Sequence, residues 1–548
     1  MARYSDSASP DEAVLIETDD FALVYDRQNR AFRKKLWNSS TKSWTTKVAP
    51  YSALVAKDGS TVWAEDASGK TIASGESGVD DASVIQSAVN LGGVIFIKAG
   101  DYILNQKIGL VSNLRLIGEG IGKTNFKKTG NDVAFVGYDV ENVVLQDFYF
   151  DAQGYESTGA GGTYCAACIA FQASATKPLY NIHLKRIKTY NGVGAHIRFG
   201  AGSEQDPGDS PDLENTHRNV IIERVICEEN PSTGTNPTLL IESANGVVLR
   251  DCYVKGSGMD YESCIALDGK NIWAYNCKAE HGREAIRLEV WKRDLRNIHI
   301  IGGEFKYCRA GVDIYPNAKE IYITGAKFYR IYGRAVATWG TGNYENIRVE
   351  NCLFVESGYP DMGTSSLEIC GDSARNIVIC KNIFVNNGFG TDSRAICIFR
   401  GDYVIIKNNI IIDDRSSGYP VIGIEFREHN ITNVICTENL IFGLPYGVRK
   451  TYEATVSGVI KANITDGETD ARTASSGTAT FSGDGSTTQF SIAHGLVSTP
   501  TKVLVTPMTA DAASDFYVTA DDTNIYINYK SAPPSGTDNL KFSWYAEV

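Results

Sequence analysis

A short phrase recurs along most of the chain, in which a turn residue precedes a run of alternating apolar and polar residues. Representative copies are NVIIERVIC from residue 219, NIRVENCLF from 346 and NVICTENLI from 433. From the first of these copies to the last, consecutive copies are 23 to 30 residues apart. Alternation of period two is typical of β-strands, and a regular repeat of this length without helical segments is typical of stacked coils. The sequence therefore predicts an all-β fold, a parallel β-solenoid.

Each repeat carries a second apolar strand 13 to 20 residues after the first, such as CIALD from 264 and GVDIY from 311. Because strand side chains alternate between two faces, the apolar ones point inward and stack from coil to coil. This alternation predicts a core that contains Ile182, Val220, Val247, Ile272, Ile298, Ile321, Ile347 and Ile377. We interpret the asparagines that begin the repeats as a turn ladder. Cys252, Cys277 and Cys352 lie six residues after their anchors, which predicts an internal stack of thiols.

Composition narrows the possible partners and compartments. Lys and Arg number 53 against 65 Asp and Glu, a net charge of −12, which argues against a nucleic-acid partner. The longest apolar runs have strand length, which argues against membrane insertion. No basic start followed by an apolar stretch is visible at the N-terminus, so we expect no signal peptide and folding in a cytoplasm. The twelve cysteines are then expected to be reduced thiols in the core.

A helix signal precedes the repeats. The string GVDDASVIQSAVN from residue 78, followed by GGVIFIKAGDYIL, resembles the start of the right-handed, pectate-lyase-like parallel β-helix of bacteriophage tailspikes and related polysaccharide depolymerases. The resemblance covers residues 78–465. It implies a homotrimer that binds and cleaves a host surface polysaccharide. It also implies a location in the virion tail, with attachment to the tail or baseplate through the N-terminal segment.

These observations give a domain plan. Residues 1–77 are expected to form a small N-terminal attachment module, and 78–465 the β-helix with a capping helix at 80–90. Residues 466–477 have the polar composition of a linker. Strand-like runs alternate with turns in 478–548, which looks like the small β-sandwich modules at the ends of phage tail proteins. We expect this C-terminal module to close a trimer or to contact carbohydrate.

Outward-facing residues of the second strands are candidates for the active site. Alignment of these strands predicts two outward columns, the first with Arg198, Glu242, Asp268, Glu289 and Tyr315 and the second with His196, Leu240, Ala266, Arg287 and Asp313. Coils lie about 4.8 Å apart, so stacked carboxylates raise the pKa of at least one member. A general acid beside a general base needs that condition, and glycoside hydrolysis needs such a pair.

We therefore predict that this face cleaves a glycosidic bond inside a polysaccharide. The predicted catalytic residues are Glu242, Asp268, Glu289 and Asp313. The predicted substrate-binding residues are Arg198, Arg287, His196, Tyr315, Trp291 and Trp339. No cofactor and no metal site are predicted for hydrolysis.

Three alternatives stay open. The same charged residues fit a structural ladder of Arg–carboxylate pairs, such as Arg198 with Glu242 and Arg287 with Glu289 or Asp313. A polysaccharide lyase would use Arg198 or Arg287 as the base in β-elimination, with Ca²⁺ neutralising a uronate. An adhesin or structural tail protein would bind glycan without cutting it, because a fold does not determine a function.

Overall fold

The structure is a computed structural model, and it divides the chain into two compact units, 1–282 and 283–548. The described residues are 12–17, 21–26, 31–38, 43–45, 50–131, 135–155, 167–173, 177–201, 217–228, 237–258, 262–289, 295–358, 365–389, 393–415, 421–451, 454–467, 469 and 471–548. Within the described residues, no helix is long and apolar enough to cross a membrane.

The first unit begins with two small antiparallel groups of strands. One is a four-stranded sheet of β1 Glu12–Glu17, β2 Phe21–Asp26, β3 Ala31–Asn38 and β4 Ser43–Thr45. The other consists of β5 Ala53–Asp58, β6 Thr61–Asp66 and β7 Thr71–Glu76. Strand β5 also pairs in parallel with β8 (Gly93–Ile97), so residues before 78 already join the stack of coils.

Parallel coils build the rest of the first unit, which confirms the predicted solenoid. Helix α1 (Asp81–Val89) precedes them and buries Ala82, Val84, Ile85, Ala88 and Val89. The first strands of the repeat are β8, β11 Leu114–Gly118, β14 Glu141–Asp151, β16 Leu179–Tyr190, β18 His217–Glu223, β20 Leu239–Arg250 and β22 Ile265–Tyr275. The other strands are β9 Gly100–Leu104, β10 Ile108–Gly109, β12 Thr124–Lys128, β13 Phe135–Tyr138, β15 Ile169–Ala173, β17 Ile197–Ala201, β19 Ile226–Glu228, β21 Tyr253–Lys255 and β23 Lys278–Glu280.

The second unit continues the repeat as three parallel sheets. Sheet A holds the first strands, β25 Leu295–Ile301, β28 Ala318–Thr324, β31 Asn343–Glu350, β34 Ser373–Cys380, β37 Gly401–Lys407, β40 Asn430–Thr437 and β43 Thr455–Lys461. Sheet B is short, with β26 Glu304–Lys306, β29 Lys327–Tyr329, β32 Leu353–Val355, β35 Ile383–Val385, β38 Ile410–Ile412, β41 Leu440–Phe442 and β44 Ile464–Thr465. Sheet C holds the second strands, β24 Glu284–Leu288, β27 Ala310–Ile314, β30 Val336–Thr338, β33 Ser365–Ile369, β36 Ser393–Ile398, β39 Val421–Arg427 and β42 Tyr446–Thr451.

Side chains inside the coils stack as the alternation predicts. All eight predicted core residues, Ile182, Val220, Val247, Ile272, Ile298, Ile321, Ile347 and Ile377, are fully buried. Phe328 and Phe354 stack with ring centroids 4.9 Å apart, and Phe354 and Phe384 with centroids 4.4 Å apart. Aligned registers between neighbouring coils bring like residues into contact, so the apolar core is continuous within each unit.

Asparagines form ladders at the turns. Asn181 Nδ2 donates to Asn142 Oδ1 at 2.7 Å, and Asn219 Nδ2 donates to Asn181 Oδ1 at 2.6 Å. These asparagines adopt φ values of 55° to 57°, a left-handed conformation that asparagine tolerates well. The predicted turn ladder is confirmed, and it bonds consecutive coils through side chains as well as through backbone.

The repeat position that is predicted to hold cysteine is occupied by different residue types along the second unit. Cys252 and Cys277 are buried in the first unit, and Cys352 is buried in the second. In the coils after Cys352, the same position holds Asn382 and Asn409, and Cys352 N–H donates to Asn382 Oδ1 at 2.9 Å. Buried thiols thus give way to a buried amide ladder.

The C-terminal strands form two antiparallel sheets. Their strands are β45 Ala474–Gly483, β46 Gln489–Ala493, β47 Lys502–Pro507, β48 Phe516–Ala520, β49 Asn524–Tyr529 and β50 Gly536–Glu547, with a 3₁₀ turn at Asp511–Ala513. Strands β45, β50 and β47 make one sheet, and β46, β49 and β48 make the other. Ile525, Ile527, Leu540 and Phe542 are buried in their shared core.

Candidate functional site

Sheet C of the second unit carries one outward column of charged residues, which we call the Asp313 column. The strand registers align Arg287, Asp313, Ala337, Glu368, Cys397, Glu425 and Arg449. Alternation explains why they share a face, because their neighbours in sequence, such as Val312 and Ile314, point into the core. The parallel registers then place one column residue above the next.

Asp313 is the buried carboxyl of this column. Its side chain is only 8% exposed, and its Oδ1 atom has no hydrogen-bond partner among the described residues. Burial, with a smaller contribution from the nearby carboxylates of Glu284 and Glu368, raises the pKa of Asp313 to about 7, whereas Arg334 and Arg283 oppose the rise. At neutral pH, a substantial fraction of this carboxyl therefore keeps its proton.

Asp313 opens into a pocket, which we call the Asp313 pocket. Its lining residues are Arg283, Glu284, Arg309, Ala310, Asp313, Tyr315, Gly333, Arg334 and Trp339. Tyr315 and Trp339 are the aromatic members, and Trp339 is 40% exposed. The arrangement combines a protonated carboxyl, arginines and an accessible aromatic ring, which together suit a polar ligand with apolar faces.

Ion pairs fix the charged walls of the pocket. Arg334 Nε lies 2.9 Å from Glu368 Oε1, and Arg283 Nε lies 3.3 Å from Glu284 Oε1. The Arg334 guanidinium also lies over the Trp339 ring, 4.9 Å from its centroid. Because Arg334 contacts both Glu368 and the Trp339 ring, it couples the orientation of the indole to that of the buried Glu368 carboxylate.

Asp313 and Glu368 are two coils apart, and Ala337 lies between them in the column. Coils at about 4.8 Å spacing put the two strand positions about 9 to 10 Å apart. In the column, only the fully buried methyl side chain of Ala337 stands between the two carboxyl positions. Carboxyl separations of roughly 6.5 to 9.5 Å accommodate a water molecule beside a sugar ring in inverting glycosidases.

The other predicted residues of this unit lie beside the pocket. Arg287 Nη2 donates to Glu289 Oε1 at 2.5 Å, and its guanidinium lies 5.1 Å from the centroid of the Tyr315 ring. Burial raises the pKa of Glu289, and Arg287 opposes that shift. The structure thus brings Arg287, Glu289, Asp313 and Tyr315 together with Trp339 on this unit. Trp291 lies outside the described residues.

The far end of the column is a structural network. Glu425 is fully buried, forms an ion pair with Arg394, and accepts a hydrogen bond from Thr451 Oγ1 at 2.5 Å. A fully buried carboxylate with these partners has little room to contact a substrate. The Asp313 end differs because the Oδ1 atom of Asp313 has no hydrogen-bond partner among the described residues and the pKa of this carboxyl is raised.

In the first unit, the predicted alignment of Arg198 is wrong. Arg198 pairs with Leu240, and Leu240 pairs with Ala266, so Arg198 lies two residues away from the predicted register with Glu242. The error arises because inward and outward positions repeat every two residues, and a shift of two preserves the alternation. Arg198 Nη2 still reaches Glu242 Oε2 at 2.9 Å across the diagonal.

This contact is one of the Arg–carboxylate pairs that the structural alternative predicts. Asp268 is also buried in this unit, at 6% exposure.

His196 is placed inside the coil and not on the outward face. The ring is fully buried, with Thr189 Oγ1 3.0 Å from its Nδ1 and the Gly192 carbonyl 3.1 Å from its Nε2. Burial lowers the pKa of His196 to about 4. An enclosed neutral ring cannot contact a polysaccharide, so we withdraw His196 from the substrate-binding residues.

Sequence reasoning missed Glu284, Arg334 and Glu368. Glu368 belongs to SLEIC from residue 366, a second strand of the repeat, but the predicted columns ended at Tyr315. Extension of the column by two repeats would have included it. Glu284 and Arg334 stand at or before the starts of their strands, where alternation does not determine the direction of a side chain.

Comparison with known proteins agrees with the fold. Residues 73–313 match the family model described as rhamnogalacturonase A/epimerase, pectate lyase-like, which confirms the predicted pectate-lyase-like β-helix. A search of curated proteins found no match.

Three solved structures illustrate the similarity. The A-module of a mannuronan C-5 epimerase from Azotobacter vinelandii is 13% identical, with 72% of this chain and 97% of that chain covered and a TM-score of 0.47. A mutant tailspike protein of E. coli bacteriophage HK620 in complex with a pentasaccharide is 14% identical, with 88% and 92% covered and a TM-score of 0.48. PfbA, a surface adhesin of Streptococcus pneumoniae, is 14% identical, with 70% and 90% covered and a TM-score of 0.38.

Proposed function

We propose that this protein cleaves a polysaccharide by hydrolysis of internal glycosidic bonds, with Asp313 as the proton donor. The observation that carries the proposal is the buried Asp313 carboxyl, whose pKa of about 7 keeps it partly protonated where most carboxyls are ionised. A general acid with a pKa near the working pH is efficient because it is both present in its acid form and able to transfer the proton.

Glu368 and the residues around Asp313 have separate roles in this proposal. Glu368, oriented by Arg334, accepts a proton from the attacking water, while Asp313 donates one to the departing glycosidic oxygen. The two-coil separation leaves a place for that water, which predicts inversion at the anomeric carbon. Tyr315 and Trp339 offer faces on which sugar rings stack. Glu289 orients Arg287 beside this site. On the first unit, Glu242 orients Arg198 through their ion pair, and Asp268 is buried.

The biological setting is proposed from the tailspike resemblance and the family match. We infer that the substrate is a host surface polysaccharide and that the protein works in a virion tail. We also infer that it acts as a homotrimer and is attached to the tail or baseplate through its N-terminal module. These inferences rest on the helix-and-coil signature at residues 78–104 and on the matched segment 73–313.

The first test is a pair of isosteric variants. We expect Asp313→Asn and Glu368→Gln each to lower the rate of reducing-end release by about 10²- to 10⁴-fold, because each removes one proton-transfer group. Asp372→Asn is the matched control, since the Asp372 side chain is 63% exposed and stands on a turn outside the pocket. Binding of the polysaccharide by calorimetry and circular dichroism should stay unchanged in all three. Full activity in both the Asp313 and the Glu368 variants would refute the assignment.

A lyase is the second candidate, favoured by the three arginines Arg283, Arg309 and Arg334 in the same pocket. Arginines suit a uronate, and a protonated Asp313 would serve elimination as well as hydrolysis. An unsaturated product that absorbs in the ultraviolet, or loss of activity when Ca²⁺ is chelated, would identify the lyase. Binding without any change in polysaccharide size would identify an adhesin instead.

A further inference from the structure

A second cavity of the second unit lies between the last coil of the solenoid and the C-terminal sheets, and we call it the junction cavity. Its volume is about 330 Å³, which falls within the roughly 300 to 1,000 Å³ of ligand-binding pockets. Its polar lining includes Lys461, Thr469, Arg472, Ser475, Ser476 and Tyr545. The junction cavity shares no residue with the Asp313 pocket, so it is a candidate for a separate binding site.

Backbone hydrogen bonds hold the walls of the junction cavity in place. On the side of the last coil, the Thr473 N–H donates to the Ile460 carbonyl at 3.0 Å, and the Ile460 N–H donates to Thr473 Oγ1. On the side of the C-terminal sheets, the Val497 N–H donates to the Arg472 carbonyl at 2.8 Å, and the Val548 N–H donates to the Thr473 carbonyl at 3.0 Å. A ligand therefore meets walls that are already ordered, which lowers the entropic cost of binding.

The charge on the cavity walls is positive. Lys461 and Arg472 are its charged lining residues, both are exposed, and among the described residues neither forms an ion pair. The nearby carboxylate of Glu547 accepts a hydrogen bond from the Tyr545 hydroxyl at 2.7 Å and lies 3.5 Å from Lys502 Nζ. Because this carboxylate already has a cation of its own, the charges of Lys461 and Arg472 favour an anion in the cavity.

The uncharged lining suits a sugar ring. The hydroxyls of Thr469, Ser475 and Ser476 each donate and accept hydrogen bonds, as sugar hydroxyls do. Tyr545 is the cross-strand partner of Ser476 and adds an aromatic ring to the wall. An inorganic anion would use the cations alone and fill a small part of a cavity of this size. The combined lining therefore fits a sugar that carries a negative charge.

We propose that the junction cavity binds an acidic sugar unit, a monosaccharide with a carboxylate, of the polysaccharide on which the protein acts. Arg472 and Lys461 bind the carboxylate, for which a guanidinium has a matching geometry. The choice of a sugar rests on the proposed function, whereas the choice of an anion rests on the cavity lining alone. A second binding site on the same polysaccharide chain raises the affinity for a long substrate above that for a short one.

The test compares glucuronate with glucose, which differ in the carboxylate, and uses sulfate as the inorganic anion. We expect native protein to bind glucuronate more tightly than glucose or sulfate in calorimetric titration. The arginines of the Asp313 pocket offer glucuronate a second place, so diffraction from a crystal soaked in glucuronate locates the sugar. We expect it beside Arg472 and Lys461.

Arg472→Gln removes one of the two cations with little risk to the fold, because the Arg472 side chain is exposed. We expect about tenfold weaker binding of glucuronate at the junction cavity, with unchanged circular dichroism. The matched control is Lys530→Gln, since Lys530 is 66% exposed on the C-terminal sheets and does not line the cavity. This control should bind glucuronate as the native protein does.

Three results would overturn the proposal. The first is a soaked crystal without glucuronate in the junction cavity, and the second is equal binding by the native protein and Arg472→Gln. The third is sulfate bound there as tightly as glucuronate, which would identify a site for an adventitious ion only. Reducing-end release by a protein with an empty junction cavity would refute this proposal alone. An occupied cavity without any reducing-end release would refute only the hydrolase.

Discussion

At the scale of single residues, the pKa of Asp313 makes a prediction about pH. The free enzyme needs Asp313 protonated, so kcat/KM should fall tenfold per pH unit above the pKa of Asp313, which is about 7. Glu284→Gln removes the carboxylate that raises this pKa and should move the alkaline limb to lower pH. Asp372→Asn should leave the limb in place. An unshifted profile in Glu284→Gln would show that Glu284 does not act on the proton donor.

Residue-scale chemistry was only partly predictable from the sequence. Asp313 was found because it lies within strand β27, where the direction of a side chain follows from alternation, and Tyr315 follows that strand directly. His196 was misplaced because it precedes its strand, β17, which begins at Ile197. Tertiary contacts orient the side chains of residues at strand ends, and these contacts cannot be predicted from the sequence pattern.

At the scale of elements, the buried amide ladder predicts a graded loss of stability. Asn409 Nδ2 donates to the Ile379 carbonyl and to Asn439 Oδ1, both at 2.9 Å, and its Oδ1 accepts from Asn382. Asn409→Ala leaves buried groups without partners and should lower the free energy of unfolding by about 3 kcal/mol, measured by urea denaturation. Asn409→Cys should lose less, because Cys352 occupies the equivalent position and donates to the Ile323 carbonyl.

The control for this ladder is Lys407→Ala, two residues before Asn409, where the side chain is 40% exposed. Its loss should stay below about 1 kcal/mol, as for other exposed ion pairs. Equal losses in the alanine variants of Asn409 and Lys407 would contradict a stabilising role for the ladder.

At the scale of the whole molecule, the repeat made most of the architecture predictable. The period determines that coils stack, and the alternation determines which side chains are inside, so the eight core residues follow from the sequence alone. The strand register at Arg198 could not be predicted from the sequence, because a shift of two residues is compatible with the same alternating pattern. The attachment of β5 to β8 was also missed, since residues 53–58 carry no copy of the repeat.

That attachment leads to a prediction about truncation. Within the described strands, β1 to β4 pair only with one another, whereas β5 pairs with the coils. Lys57 Nζ lies 2.9 Å from the carboxylate of Asp81, which is fully buried and accepts the Ile103 N–H at 2.7 Å. A chain that begins at residue 50 should therefore keep its melting temperature and its activity on polysaccharide.

A chain that begins at residue 78 removes Lys57 and leaves the Asp81 carboxylate buried without its cation. Breaking a buried pair in this way costs about 3 to 5 kcal/mol, so this chain should melt at a clearly lower temperature in calorimetry. Asp81→Asn in the chain that begins at residue 78 should recover little of that loss if the missing strand β5 also matters, and most of it if charge alone does. Equal melting of the two truncated chains would show that β5 to β7 contribute nothing to the solenoid.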